Sequence, residues 1–278
     1  MHPEAAYLRL AQNDWRGCLD DSLAWVRSSW HGDWVGLPHL LARCAEFLGL
    51  QASPMRPTSQ VLLDAALEVA NRVERDAACA AAEPAYHNRL HFADSLTAIT
   101  VQTAIESAQS GIDEPDWKAA MLLLAVAHDY QHPGKVNTYA SELERLTVEA
   151  LKPLLHGQHV PPEWIERIET LVLRTDFALV PQNHQRVRGV PFSWCTDWAT
   201  VILNEADTLA SSSERFGPPL GVALAAEWQA IGFPAYAVVA TSQGRRGFLE
   251  HIRFSSCSAG VLGAPQWVQR QLDELARA

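Results

Sequence analysis

Three short segments of this chain concentrate side chains able to bind a metal or move a proton. They are Tyr86-His87-Asn88-Arg89-Leu90-His91, then His128-Asp129-Tyr130-Gln131-His132-Pro133-Gly134 with Asn137 beyond it, then Asn204-Glu205-Ala206-Asp207. The second is physically the oddest. A strongly apolar run, Met121–Ala127, leads straight into His128-Asp129, and burying a carboxylate beside an imidazole is costly unless a cation compensates it. A divalent metal would do so, because neutral imidazole and carboxylate both ligate zinc, manganese and iron. A satisfied His–Asp pair at a helix end is the plainer alternative. His87 and His91 are four apart, which on a helix puts them on one face about 6 Å apart, a spacing that core or surface histidines also show. Asp207 follows Val201-Ile202-Leu203 and, as a buried acid, needs a partner; alone it would pass for a cap or salt-bridge group. Together the segments offer two histidines and two aspartates, with further histidines placed to orient them.

The elements that must hold these groups read as helices. Apolar residues recur at helical spacing from Ser59 to Asp76, and further helices are expected near 36–49, 92–109, 115–130, 138–156, 162–175, 197–211, 218–241, 246–254 and 264–277. Period-two alternation is scarce, and breakers such as Gly111–Pro115, Pro161-Pro162, Gly217–Pro219 and Gly263–Pro265 fall between the runs. The expected architecture is an all-α helical bundle. Phe177–Ser193 is the longest stretch read as non-helical, a loop beside a site. Residues 1–58 are expected to form an N-terminal helical extension or cover, with Gln51–Ser59 as connector and 59–278 as the main domain. Four of the ten tryptophans (Trp15, Trp25, Trp30 and Trp34) lie in that first part and are expected to pack as core.

Composition removes other classes. With 48% hydrophobic and 19% charged residues, the chain is not of a disordered type. The longest clean apolar run, Ala119–Ala127, is about half what a bilayer crossing needs, so no membrane partner is expected. Glu4, Arg9, Asp14 and Arg16 interrupt any secretory leader. A net charge of −10 with scattered Lys and Arg argues against nucleic acid. Five cysteines without a CxxC pair suit reduced thiols in the cytoplasm.

The order of the three segments resembles the HD superfamily of metal-dependent phosphohydrolases. Within it, YHNRLH, HDYQHPGKVN, the RTD at 174–176 and the EAD at 205–207 resemble the catalytic domain of class I 3′,5′-cyclic nucleotide phosphodiesterases. The resemblance runs from Tyr86 to about Ile252. It departs at Glu144-Arg145-Leu146-Thr147, where the family's ENHH motif keeps only its acid, at Val180, where a histidine is expected, and at Ser242–Leu249, a form of the SQxGF motif longer by two residues.

The resemblance implies an HD-domain bundle and two divalent metals, zinc or manganese/iron at the first site and magnesium or manganese at the second. It implies His91, His128, Asp129 and Asp207 as ligands of the first metal, with Asp129 bridging to the second, and His87 as general acid. His132 and Glu144 would hold water around the second metal, while Asn88 and Asn137 would organise backbone. Tyr86, Gln243 and Phe248 would contact the substrate. Residues 243 and 247 share a helix face and 245 lies nearly opposite, so Gln243 is expected to read the base and Arg245 to face solvent. The implied activity is hydrolysis of cAMP or cGMP. Another nucleotide (a nucleoside monophosphate, a dNTP or an alarmone) and an inactive nucleotide-binding module are the alternatives. Oligomeric state stays open, a homodimer included.

Overall fold

In chain order the helices are α1 (Trp15–Ser29), α2 (Leu37–Phe47), α3 (Pro57–Cys79), α4 (Arg89–Ser110), α5 (Pro115–Ala127), α6 (Glu142–Gly157), α7 (Pro162–Leu173), α8 (Val180–Arg186), α9 (Thr196–Ser212), α10 (Gly217–Ala230), α11 (Tyr236–Val239), α12 (Ser242–His251), α13 (Cys257–Leu262) and α14 (Ala264–Arg277). A computed structural model describes residues 7–30, 32–51, 57–80 and 83–277. Among these the protein is all-α, with one 3-10 turn at Phe177–Leu179 and no strand. No described helix is long and apolar enough to cross a membrane.

Two helices hold the centre. Every residue of α5 from Trp117 to Ala127 is buried, as expected of a helix apolar on all sides. Beside it α4 is buried along most of its length, including the polar Thr97, Thr100, Gln102, Thr103 and Glu106. Around this pair pack α1, α2, α3, α7, α9 and α13, while α10, α11, α12 and α14 form an outer group against α9 and one another. Residues of α1 and α2 join the same hydrophobic cluster as α3–α7 and α9. Arg27 of α1 reaches across to α4, donating to both oxygens of the buried Asp94 at 2.7 and 2.6 Å. Residues 52–56 of the expected connector lie outside the described residues.

Local chemistry sets the helix ends nearest the site. Asn88 caps α4, its Oδ1 accepting from the backbone N–H groups of Leu90 and His91 at 2.9 and 3.3 Å. Gly111 closes α4 with φ +70°. At the end of α5, His128 is the cap residue and Asp129 begins a turn that Pro133 and Gly134 (φ +67°) complete.

Three expectations about elements fail. Phe177–Ser193 is not a loop: it holds the 3-10 turn and α8, nucleated by the Asp176 side chain accepting from Ala178 N–H at 3.0 Å. The stretch 218–241 is not one helix, because Gly232 (φ +69°) and Pro234 break it between α10 and α11. Helix α12 starts four residues earlier than the expected 246–254, capped by the Thr241 hydroxyl accepting from Gly244 N–H.

Candidate metal centre

Three elements deliver four side chains to one point: the first turn of α4, the end of α5 and the second half of α9. Ligand atoms of His91, His128, Asp129 and Asp207 all lie within 4.8 Å of one another. His91 Nε2 is 3.1 Å from Asp129 Oδ2 and 3.1 Å from Asp207 Oδ1. His128 Nε2 is 3.3 Å from Asp129 Oδ2 and 3.5 Å from Asp207 Oδ1. The two imidazole nitrogens themselves face each other at 3.2 Å. Both histidines are buried, whereas the two carboxylates keep side-chain exposures of 16% and 24%.

The donor set fits a divalent cation. His128 Nδ1 sits 3.2 Å from the Ala125 carbonyl, which can only accept, so Nδ1 carries the proton and Nε2 turns its lone pair inward. Two anionic oxygens complete a mixed nitrogen–oxygen set of the kind zinc, manganese and iron accept. Electrostatics point the same way. Burial opposes a charge on His91, yet the carboxylates of Asp129 and Asp207 outweigh it and hold its pKa up at about 9. His128 is likewise raised against burial by Asp129 and Asp207, and both acids are held below the usual carboxylate range by the two imidazoles. The pocket therefore demands positive charge.

A second cluster abuts the first. His87, His132 and Glu227 form a group of three ligand-type side chains. His87 precedes α4 rather than lying on it, and its ring centroid is 5.7 Å from that of His91, close to the helical expectation although the backbone there is a turn. Glu227, from α10, accepts the backbone N–H groups of Tyr86 and His87 at 2.8 and 2.9 Å and meets His87 Nδ1 at 2.5 Å. Three donors on one carboxylate mean an ionised acid: burial works against its charge, but the His87 contact brings its pKa down to about 2. His87 Nδ1 must then be the proton-bearing nitrogen, leaving Nε2 to face Asp129 Oδ2 at 3.9 Å. His132 stacks on His87 at 3.8 Å. Its Nδ1 accepts from Gly134 N–H at 3.1 Å, and burial, then the nearby His87, pushes its pKa down to about 4. Gly134 is needed here: with φ +67°, its missing Cβ would stand 3.3 Å from Glu227 Cγ.

Glu227 was not picked from the sequence. Its signal was a lone acid inside Ala223–Trp228, an otherwise apolar run, the same kind of oddity that marked Asp207.

The remaining expected residues fall in distinct places. Asn88 and Asn137 both organise backbone: Asn88 caps α4, and Asn137 accepts from Leu143 N–H at 2.8 Å while donating to Glu144 at 3.0 Å. Glu144 is half-buried, with burial and the charges of Asp176 and Asp129 raising its pKa against the hydrogen bonds it accepts. Tyr86 bonds Ser211 through its hydroxyl at 2.9 Å and, with Phe248, lines a cavity of about 270 Å³. His87, Asp129 and His132 line another, of about 170 Å³.

Gln243 and Arg245 reverse their expected placement. Gln243 and Gly247 do share a face, but that face is exposed, and Gln243 lines no part of the cavity beside Tyr86. Arg245 turns inward and lines it. Its guanidinium donates to the carbonyls of Ser211, Ser212 and Ser213 at the end of α9, the last two at 3.1 Å, and to Gln271 Oε1. Burial lowers its pKa to about 10. The cause is packing: Gly244 lies so near the backbone of Val238 and Val239 that a Cβ would collide there, and the open carbonyls ending α9 require a donor.

No protein-family model matches the chain, and no curated protein matches it significantly.

Proposed function

We propose that this chain is a metal-dependent phosphodiesterase hydrolysing a 3′,5′-cyclic nucleotide to the 5′-monophosphate. The observation that carries the reading is the convergence of His91, His128, Asp129 and Asp207 within 4.8 Å, with His87 Nε2 3.9 Å from Asp129. His91, His128, Asp129 and Asp207 would hold a first metal (zinc, manganese or iron); Asp129, with His132 and Glu144 nearby, would serve a second, magnesium or manganese. Bound there, such metals would supply positive charge against the phosphate oxygens and acidify a water for attack on phosphorus.

The chain's own residues supply the proton. A ribose alkoxide is a poor leaving group, so the 3′ oxygen needs protonation as its bond to phosphorus breaks. His87 is placed for this, because Glu227 accepts from Nδ1–H and so turns Nε2 toward Asp129, 3.9 Å away. After transfer the neutral ring keeps Nδ1–H, so the same nitrogen is recharged for the next turnover. Tyr86 and Phe248 provide aromatic walls for the nucleoside part.

One observation favours a second reading within the same chemistry. Gln243, to which the resemblance assigns base reading, is exposed, and Arg245 lines the cavity instead, which suits another nucleotide phosphoester. Purified protein, metal content determined, should be assayed with cAMP, cGMP, nucleoside monophosphates, dNTPs and an aryl phosphodiester. Turnover of the cyclic nucleotides supports the first reading and turnover of a nucleoside monophosphate or dNTP the second, while turnover of the aryl phosphodiester alone, or of nothing with metal bound, overturns both.

A further inference from the structure

A cleft of about 540 Å³ opens between α8, the turn at 187–190, the start of α9 and the segment 253–255. It shares no residue with the metal centre: Trp198, in its wall, precedes Asp207 on α9 by nine residues, about 13 Å along the helix axis. Its size lies within the range of small-molecule sites.

Its chemistry is one-sided. Arg188, Arg253 and His184 line it and no Asp or Glu does. The surrounding sequence carries the same bias, since no acid occurs from Phe177 to Thr196 in a chain of net charge −10. Arg188 is exposed and its guanidinium has no hydrogen bond or ion pair among the described residues. Arg253 is anchored through Nη1 alone, which donates to the carbonyls of Glu250, His251 and Ile252, so the rest of its fork is unpaired among the described residues. His184 is only 6% exposed; its Nδ1 meets Ser255 Oγ at 2.8 Å and its buried Nε2 has no partner. Burial and then Arg253 push its pKa down to about 4, so the ring is neutral. If Ser255 donates to Nδ1, Nε2–H is a spare donor. Pro181, Val187, Val190 and Trp198 give the cleft apolar walls.

We propose that this cleft binds a phosphomonoester with a compact apolar or aromatic body, through Arg188, Arg253 and His184. Guanidinium forks match phosphate oxygens in geometry and charge. An unpartnered buried imidazole nitrogen is costly in a folded protein, and a phosphate oxygen would satisfy it. A bare phosphate would leave most of the volume and all the apolar wall unused. The proposal does not depend on the hydrolytic reading of the metal centre.

The test is calorimetric titration with phenyl phosphate and with inorganic phosphate, on wild type, Asp129→Ala, Arg188→Ala and the Arg188→Glu/Arg253→Glu double variant. Phenyl phosphate should bind wild type and Asp129→Ala alike, and more tightly than inorganic phosphate. It should weaken measurably in Arg188→Ala and by ~10-fold or more in the double variant, with metal content and melting temperature unchanged in Arg188→Ala, whose side chain holds nothing in place. Binding that survives charge reversal, that disappears with Asp129→Ala, or that is undetectable at millimolar concentrations overturns the proposal. Equal affinity for the two probes overturns the claim of an organic body.

Discussion

Glu205 and Asp207 stand two residues apart on α9, pointing to nearly opposite sides. Glu205 is fully buried and its oxygens are surrounded by donors: the backbone N–H of Ser255 at 2.5 Å and of Ser256 at 2.9 Å, the Ser256 hydroxyl, and Gln102 Nε2 at 3.0 Å. Asp207 keeps some exposure and faces His91 Nε2 and His128 Nε2, among atoms shared with another acid. The protein completes one carboxylate with its own N–H and O–H groups and sets the other against two imidazoles, in a group that could hold a metal ion. Burial of an acid therefore says little about function; the identity of what faces it says much more.

The strongest way to break this contrast is mutation of each site in turn. Asp129→Ala and Asp207→Ala should each abolish metal binding, measured by elemental analysis, and with it hydrolysis, while Glu205→Gln should keep the metal. A metal lost equally in all three would erase the distinction. Next in size, His87→Ala should keep the metal and lose ~10²–10⁴-fold in rate on cAMP, but lose less on a p-nitrophenyl phosphodiester, whose leaving group hardly needs a proton. Equal losses would make His87 a ligand or a structural residue. Glu227→Gln should shift the pH profile of the same reaction with a smaller loss than His87→Ala.

Stability separates the two acids in the opposite sense. Glu205→Ala strands several buried donors at ~1–3 kcal/mol each, so chemical denaturation should report a loss of about 3 kcal/mol or more. Metal added at 100 times its Kd should stabilise wild type by about 2.7 kcal/mol and do nothing for Asp129→Ala. The smallest effect is a pH slope. Glu106, which accepts from Ser258 N–H at 2.6 Å close to Glu205, has its pKa raised above 4.5 chiefly by burial. The native protein then holds a proton that the unfolded chain has released, so this contribution to stability is present below about pH 4.5 and fades as pH rises through the folded value. Glu106→Gln should flatten that part of the stability–pH curve.

Of the four metal-type side chains, His128 and Asp129 stood out as an imidazole and an acid directly after an apolar run, Asp207 as an acid inside one, and His91 only by its four-residue spacing from His87. Their assignment as one ligand set came from the family resemblance. Glu227 broke its pattern equally but carried no neighbouring histidine to draw notice. The all-α architecture followed from periodicity, whereas α8 did not, because seven residues with a proline in the first turn and no side-chain cap leave too short a periodic trace. The α12 pair shows a different limit. Helix geometry correctly put Gln243 with Gly247 and Arg245 opposite, but which face turns inward depends on the carbonyls ending α9 and on the close approach at Gly244, and neither is local to α12.

The Arg27–Asp94 clamp has a consequence for engineering. Asp94 lies one helical turn beyond His91 on α4, buried, with its oxygens held by a residue from the first helix. A fragment beginning at α3 would keep every metal-type side chain yet carry an orphaned carboxylate beneath them, its pKa already raised by burial in the intact chain. Splicing a different leader onto this bundle would therefore require either a new arginine or a neutral residue at position 94. Positions 27 and 94 have to be changed as a pair.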